Sequence, residues 1–275
     1  MAIIHQIDHP AVGGIRVGRV NKKGGYHLTA SCIIYQIGST LIDTGPSREQ
    51  ACIKTYFKDQ SIERVLLTHY HEDHTGNGHF FESQHGATIY SHPNNHQRLR
   101  KGLKLSTVRK MTFGNVDAFN PQQLASSIAL DNNHRLDAIH TPGHTDDLCC
   151  FHEAEQGWLF TGDLYVSNKL KYMTDEEDIN DWIASLRHVL SLDFDTLFCS
   201  HRAVVNNGKK ALTEKLDFFI NIQQQVSHLH QQGYSAKKIR RQLLGREDAT
   251  SYLSFFHMSR QNIVNACLKS LSHKQ

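Results

Sequence analysis

Six consecutive residues, His69-Tyr70-His71-Glu72-Asp73-His74, put four metal-ligating side chains into one short stretch. They follow Val65-Leu66-Leu67, an apolar run that reads as the end of a buried strand. Side chains of extended chain alternate sides, so His69 and His71 leave on the same side, where two imidazoles can grip one ion. The tight turn expected next swings Asp73 and His74 toward a neighbouring point, which leaves room for a second ion. At the His and Asp frequencies of this chain, the pattern H-x-H-x-D-H arises by accident about 0.006 times. A low-complexity histidine tract lacks this order. The chemistry indicated is metal-assisted, and catalytic.

The elements around this stretch repeat one arrangement, an apolar strand-like run that ends in a polar residue. Cys32-Ile33-Ile34-Tyr35 and Thr40-Leu41-Ile42 flank a Gly38-Ser39 turn and read as a hairpin, closed by Asp43-Thr44-Gly45-Pro46. Asp43 is either a turn former or a carboxylate that orients a metal-bound histidine. Leu136-Asp137-Ala138-Ile139 leads into His140-Thr141-Pro142-Gly143-His144-Thr145, where Pro and Gly fix a turn that presents His144. Trp158-Leu159-Phe160 leads to Thr161-Gly162-Asp163, and the two oxygens of a carboxylate allow Asp163 to bridge two ions. Thr196-Leu197-Phe198-Cys199-Ser200 ends in His201.

Thirty basic against 27 acidic residues leave a net charge of only +3, which argues against bulk capture of nucleic acid or membrane. The expected partner is a small molecule. The opening Met1-Ala2-Ile3-Ile4-His5-Gln6 shows no basic and then apolar leader, and no run approaches the roughly 18 apolar residues that span a bilayer. A soluble, cytoplasmic protein is expected. Six cysteines lie scattered without C-x-x-C spacing, which predicts buried free thiols.

Taken in order, Asp43, His69-x-His71-x-Asp73-His74, His144, Asp163 and His201 resemble the five motifs of the metallo-β-lactamase superfamily over about residues 25–205. The resemblance implies an α/β (α+β) fold, a four-layer αββα sandwich with metals in a cleft along one edge. It implies a catalytic domain over 1–207 and a C-terminal helical extension over 208–275, packed on it. Carried over position by position, His69, His71 and His144 hold one metal, Asp73, His74 and His201 the other, and Asp163 bridges them. The His140–Thr145 and Thr161–Asp163 blocks are most similar to glyoxalase II and lactonase-like hydrolases.

Nitrogen and oxygen donors suit two zinc ions, and iron, manganese or cobalt are compatible with the same ligand types. The expected activity is cleavage of a thioester, lactone or related ester by a hydroxide shared between ions about 3.5–4 Å apart. Asp73 or Asp163 relays the proton, and Tyr165, at an offset that differs from the lactonase pattern, either donates to the developing oxyanion, as the resemblance to lactonases implies, or packs in the core. Tyr165-Val166-Ser167-Asn168 replaces the glycine-rich loop usual in glyoxalase II, and Asp146-Asp147 adds two acids, which argues against glyoxalase II itself. Three rivals remain, a phosphodiesterase or nuclease using the same metal pair, a mononuclear iron enzyme like the persulfide dioxygenases, and a scaffold that uses its metal only for folding, which does not need an open two-ion arrangement.

Two further segments stand apart. Residues 94–115 carry His96, Arg98, Arg100, Lys101, Lys104, Arg109 and Lys110, either a solvated face or a cap that attracts an anionic substrate. From 208 onward the spacing turns helical, with Leu212, Leu216, Phe219, Ile222 or Gln223, Val226 and Leu229 as the apolar stripe and Gly233 as the stop. Ser235 caps a short helix to Leu244, and Ser259 caps a last one. Between them Phe255, Phe256, His257 and Met258 are candidates for substrate contact, and such helices are also where a homodimer would form.

Overall fold

Strands buried on both faces read as unbroken apolar runs, and the central strands here follow that rule. The structure is a computed structural model that describes residues 5–7, 9–20 and 26–272. Residues 1–4 of the opening stretch, expected to lack a leader, lie outside the described residues. The chain divides into two compact units, one of residues 1–140, 147–166 and 194–206, the other of residues 141–146, 167–193 and 207–275.

The first unit holds two sheets. One runs in the order β1 (His5–Gln6), β2 (Gly13–Val20), β3 (Tyr26–Ile37), β4 (Thr40–Ile42), β5 (Arg64–Leu66), β6 (Thr88–Ser91) and β7 (Gln122–Gln123), antiparallel as far as β4 and parallel beyond it. The other contains β8 (Ser127–Ala129), β9 (Arg135–His140), β10 (Cys149–Glu153), β11 (Trp158–Gly162), β12 (Thr196–Cys199) and β13 (Ala203–Val205), in reverse order across the sheet. Only β11 and β12 run parallel in it. The hairpin expected at Gly38-Ser39 is present, with Tyr35 opposite Ile42 and Ile37 opposite Thr40.

Alternation decides which side chain goes where. Ile33, Tyr35, Ile37, Ile42 and Leu66 share a core with Leu136, Phe151, Trp158, Phe160 and Phe198 of the second sheet. The intervening Ile34, Leu41 and Val65 pack in a second core with Ile53 and Phe57 of α1 (Gln50–Phe57). After α1 come α2 (Glu72–Thr75), α3 (Gly78–His85), α4 (His96–Leu99) and α5 (Thr107–Phe113). The Phe57 and Phe81 rings meet edge to face with centroids 5.4 Å apart, and each fully buried phenylalanine contributes about 1.5–3 kcal/mol. Because β4, β5 and β6 are parallel, chain must cross back between them, so the carboxyl ends of β4 and β5 lie side by side.

The second unit is helical, with α6 (Ile179–Leu190), α7 (Gly208–Gln231), α8 (Ala236–Leu243), α9 (Ala249–Leu253) and α10 (Arg260–Ser272). Asp178 caps α6, its carboxylate accepting from the Asn180 and Asp181 amides. The stripe expected on α7 is buried at Leu212, Phe219, Ile222, Val226 and Leu229, but Lys215 rather than Leu216 is the fully buried residue between them. Position 215 sits three residues after 212 and four before 219, on the helix's inner line. Its methylene stem fills the apolar slot while its ammonium lies 4.1 Å from the Trp182 ring centroid. Among the described residues no helix is long and apolar enough to cross a membrane.

Candidate metal centre

The ligand candidates of the first unit all lie at or just beyond the carboxyl ends of its parallel strand pairs. Asp43 follows β4, and His69 lies three residues past the end of its neighbour β5. Asp163 follows β11, and His201 comes two residues after its neighbour β12. Past β5 the chain leaves the sheet and bends at Thr68 and Tyr70, and Asp73 and His74 then sit on α2, a single helical turn where the sequence suggested a tight turn. His71 starts that helix with an extended backbone, φ −58° and ψ 149°. Gly162 lets the second sheet come close, since with its φ of 50° a β-carbon there would stand 2.8 Å from that of Thr68.

Within the first unit, ligand atoms converge in two overlapping groups, one of His69, His74 and Asp163 and one of Asp73, His74 and His201, each with its atoms within 4.8 Å of one another. His201 Nε2 lies 3.0 Å from Asp163 Oδ1, and His74 Nε2 lies 3.5 Å from the same oxygen. Asp73 Oδ2 stands 3.7 Å from both imidazoles. The His69 ring is 4.7 Å from that of His71 and 4.1 Å from that of His74.

What lies behind the ligands fixes their orientation. His74 Nδ1 donates to Asp43 Oδ2 at 2.7 Å, which leaves its Nε2 facing the centre. Asp43 is fully buried at a left-handed φ of 62°, a conformation an aspartate tolerates when its carboxylate is held. The Thr68 amide and hydroxyl hold it, donating at 2.8 Å and 2.9 Å. His201 Nδ1 donates to the Ser31 carbonyl at 2.6 Å. Thr68 Oγ1 also lies 3.1 Å from His69 Nδ1.

Burial alone lowers the His74 imidazole, but Cys32, Asp73, Asp43 and Asp163 outweigh it and hold the group well above its ordinary value. His201 is raised in the same way, burial being overcome by Asp163 and Asp73. Burial pushes the Asp163 carboxyl up, yet His201 and His74 pull it well below the usual carboxylate range. The set is one of charges crowded out of water. His74 Nε2 is buried between two carboxylates without a hydrogen-bond partner. A divalent cation satisfies that nitrogen and those oxygens at once, so the residues present fit a metal.

His144, expected as a ligand, belongs to the second unit. The α6 region holds its loop, the Asp178 amide donating to the Gly143 carbonyl at 3.1 Å and Ser185 Oγ to that of Pro142 at 2.7 Å. The His144 ring lies 6.0 Å from that of Trp182. Tyr165 is buried, and its carbonyl accepts from Cys199 Sγ at 2.8 Å. Phe255 and Phe256 are exposed and take left-handed φ values of 50° and 62°. Every cysteine is a free thiol, and all but Cys52 are buried. Two supports carry no motif signature in the sequence. Thr68 is an ordinary threonine until it is seen beside Asp43, and Glu72 is buried against Arg109, which is 37 residues away. The absence of any other acid for many residues after Glu82 is the one signal that Arg109 needed a distant partner.

A family model described as Metallo-beta-lactamase superfamily matches residues 31–201. An atrochrysone carboxyl ACP thioesterase of Aspergillus fumigatus is 29% identical over 188 residues, 64% of this chain and 51% of the relative. Thioesterase pkgB of Emericella nidulans is 30% identical over 178 residues, 62% of this chain and 45% of the relative. The chain spans about half the length of the curated relatives it matches. Among solved structures, a metallo-beta-lactamase family protein from Thermus thermophilus superposes with a TM-score of 0.70 at 20% identity, covering 97% of this chain and 94% of that one. A beta-lactamase domain protein from Burkholderia ambifaria superposes equally well, TM-score 0.70, at 16% identity over 97% and 88% of the two chains.

Proposed function

Because the chain belongs to the metallo-beta-lactamase superfamily and has its mixed α/β sandwich fold, we propose that it is a metal-dependent hydrolase that cleaves a thioester. The observation that carries this reading is the convergence of Asp73, His74, Asp163 and His201 on one point, with Asp43 locking His74 from behind. The names of the relatives support a thioester above the lactones and other esters that the same attack at a carbonyl would open.

In this proposal the centre is binuclear and zinc-loaded. Asp73, His74 and His201 would hold one ion, His69 and His71 would serve the other, and Asp163 would be shared. Bound there, divalent metal supplies Lewis acidity to the acyl carbonyl and ionises water at neutral pH. The protein's own part is positioning and proton handling. Asp163 lies against both imidazoles, whereas Asp73 stands further from them and is the better proton carrier. A water oxygen bonds to the carbonyl carbon, the carbon–sulfur bond breaks, and Asp73 passes the water's proton toward the departing thiolate. Tyr165 donates to the developing oxyanion as part of the same proposal. A cytoplasmic setting completes it, supported by the unbridged thiols.

The test is metal analysis of the purified protein combined with hydrolysis of acyl thioesters, aryl phosphodiesters and a glutathione persulfide. About two zinc per chain with thioester cleavage supports the reading. One iron per chain with oxygen consumption on the persulfide, or turnover of the phosphodiester alone, replaces it.

A further inference from the structure

Between Glu82 and Asp117 the chain carries six Lys or Arg and no Asp or Glu, although overall it is nearly balanced at 30 basic against 27 acidic residues. Helices α4 and α5 lie in this interval, and two of its arginines reach the ligand loop. Arg98 lays its guanidinium over the Tyr70 ring, 4.5 Å from the centroid. Arg109 grips the buried Glu72 with two prongs, Nε to Oε1 at 2.6 Å and Nη2 to Oε2. Tyr70 and Glu72 are the side chains that alternate with His69, His71 and Asp73. The basic interval is therefore fastened to the ligand loop through both of its non-ligating positions.

Outward, the same interval exposes Lys101, Lys104 and Lys110. Val108 and Met111 are also exposed, by 47% and 65%, and at a spacing of three they share one side of α5. Arg19 and Arg48 both donate to the Met111 carbonyl and bring two more cationic groups to the end of that helix. Glu72, the acid of the ligand loop, is already bound by Arg109. Exposed apolar side chains in a cationic interval that carries no acid are a pattern suited to docking rather than to solvation alone.

Resting on the thioester reading, we propose that this face docks an acidic carrier domain bearing the acyl thioester, its carboxylates meeting Lys101, Lys104 and Lys110 and its apolar residues covering Val108 and Met111. A nucleic acid matches the charge but finds no exposed aromatic on α5 to stack against. A lipid surface is offered one short helix where it would need a long amphipathic one. Charges at the rim act on encounter rather than on chemistry, so the docking contribution is expected in KM and in salt dependence.

The experiment compares the wild-type protein with a Lys101→Glu, Lys104→Glu, Lys110→Glu triple variant and, separately, with a Val108→Ser, Met111→Ser variant. Each is assayed on one acyl group carried either by an acidic acyl carrier protein or by N-acetylcysteamine. The expected result is a fall of about tenfold or more in kcat/KM for the carrier-borne substrate, through KM, with the N-acetylcysteamine thioester hydrolysed as before. Equal rates for wild type and both variants on the carrier-borne substrate overturn the docking proposal while leaving thioester hydrolysis standing. Binding of the carrier protein is measured in parallel, so a wild type that hydrolyses neither substrate still reports on the face. Carrier binding lost in the triple variant supports docking. Binding of RNA or of phosphatidylglycerol vesicles in place of the carrier overturns it.

Discussion

The ligand loop has two kinds of residue, and the difference between them is instructive. His69, His71, Asp73 and His74 turn toward the centre and are recognisable by type, because only a few side chains can hold a metal. Tyr70 and Glu72, interleaved with them, are held by Arg98 and Arg109. The ligands define what the loop can do, and the interleaved residues define what else in this particular chain the loop is attached to. A substitution of the first kind is expected to remove chemistry, and one of the second kind to remove placement.

The sharpest separation comes from Asp163→Ala, which takes away the carboxylate shared by His74 and His201. Thioester hydrolysis is expected to fall by more than about a hundredfold, beyond the range reached by losing an orienting group alone, with metal per chain falling as well. Asp43→Asn is next. It weakens the acceptor that fixes His74, and metal affinity measured by competition with a chelator is expected to drop about 10- to 100-fold. On the other side of the comparison, Arg109→Ala leaves Glu72 buried without its cation and is expected to lower unfolding stability by about 1–3 kcal/mol at unchanged metal content. Adding Glu72→Gln to that variant should restore part of the loss in denaturant titrations. If Arg109→Ala strips the metal instead, the two kinds of residue are not separable.

A smaller effect lies in pH. In metal-free protein His74 and His201 are raised above the ordinary 6.5, so the stability they add is fully present below pH 6.5 and is lost as pH rises through their folded values. Asp163 is depressed below 3.8, so its share is present above pH 3.8 and is lost as pH falls through its folded value. The melting temperature of chelator-treated protein is therefore expected to be highest between about pH 4 and 6.5. Metal reverses the upper limb, because protons compete with it for the same nitrogens, and its affinity should strengthen as pH rises. Melting curves with and without zinc across pH 5–9 check both signs.

Much of this arrangement is legible in the chain because ligand types and strand patterns are local. The alternation of Ile33, Ile34 and Tyr35 and the acid or histidine after each parallel strand identify the layers and mark Asp43, Asp163 and His201. What supports them is not local. Thr68 meets Asp43 across 25 residues, the Ser31 carbonyl meets His201 across 170, and Arg109 meets Glu72 across 37. No periodicity encodes such pairs. The exchange of Leu216 for Lys215 in the α7 core has a related cause, since a lysine that packs its stem and places its charge on an indole looks like a surface residue until the tryptophan is found.

The most direct test of the central claim is thioester hydrolysis by chelator-stripped protein as zinc is returned stepwise. The expected result is no activity in the stripped protein and recovery that levels off near two equivalents. Full activity after stripping, with metal below detection by elemental analysis, would contradict it.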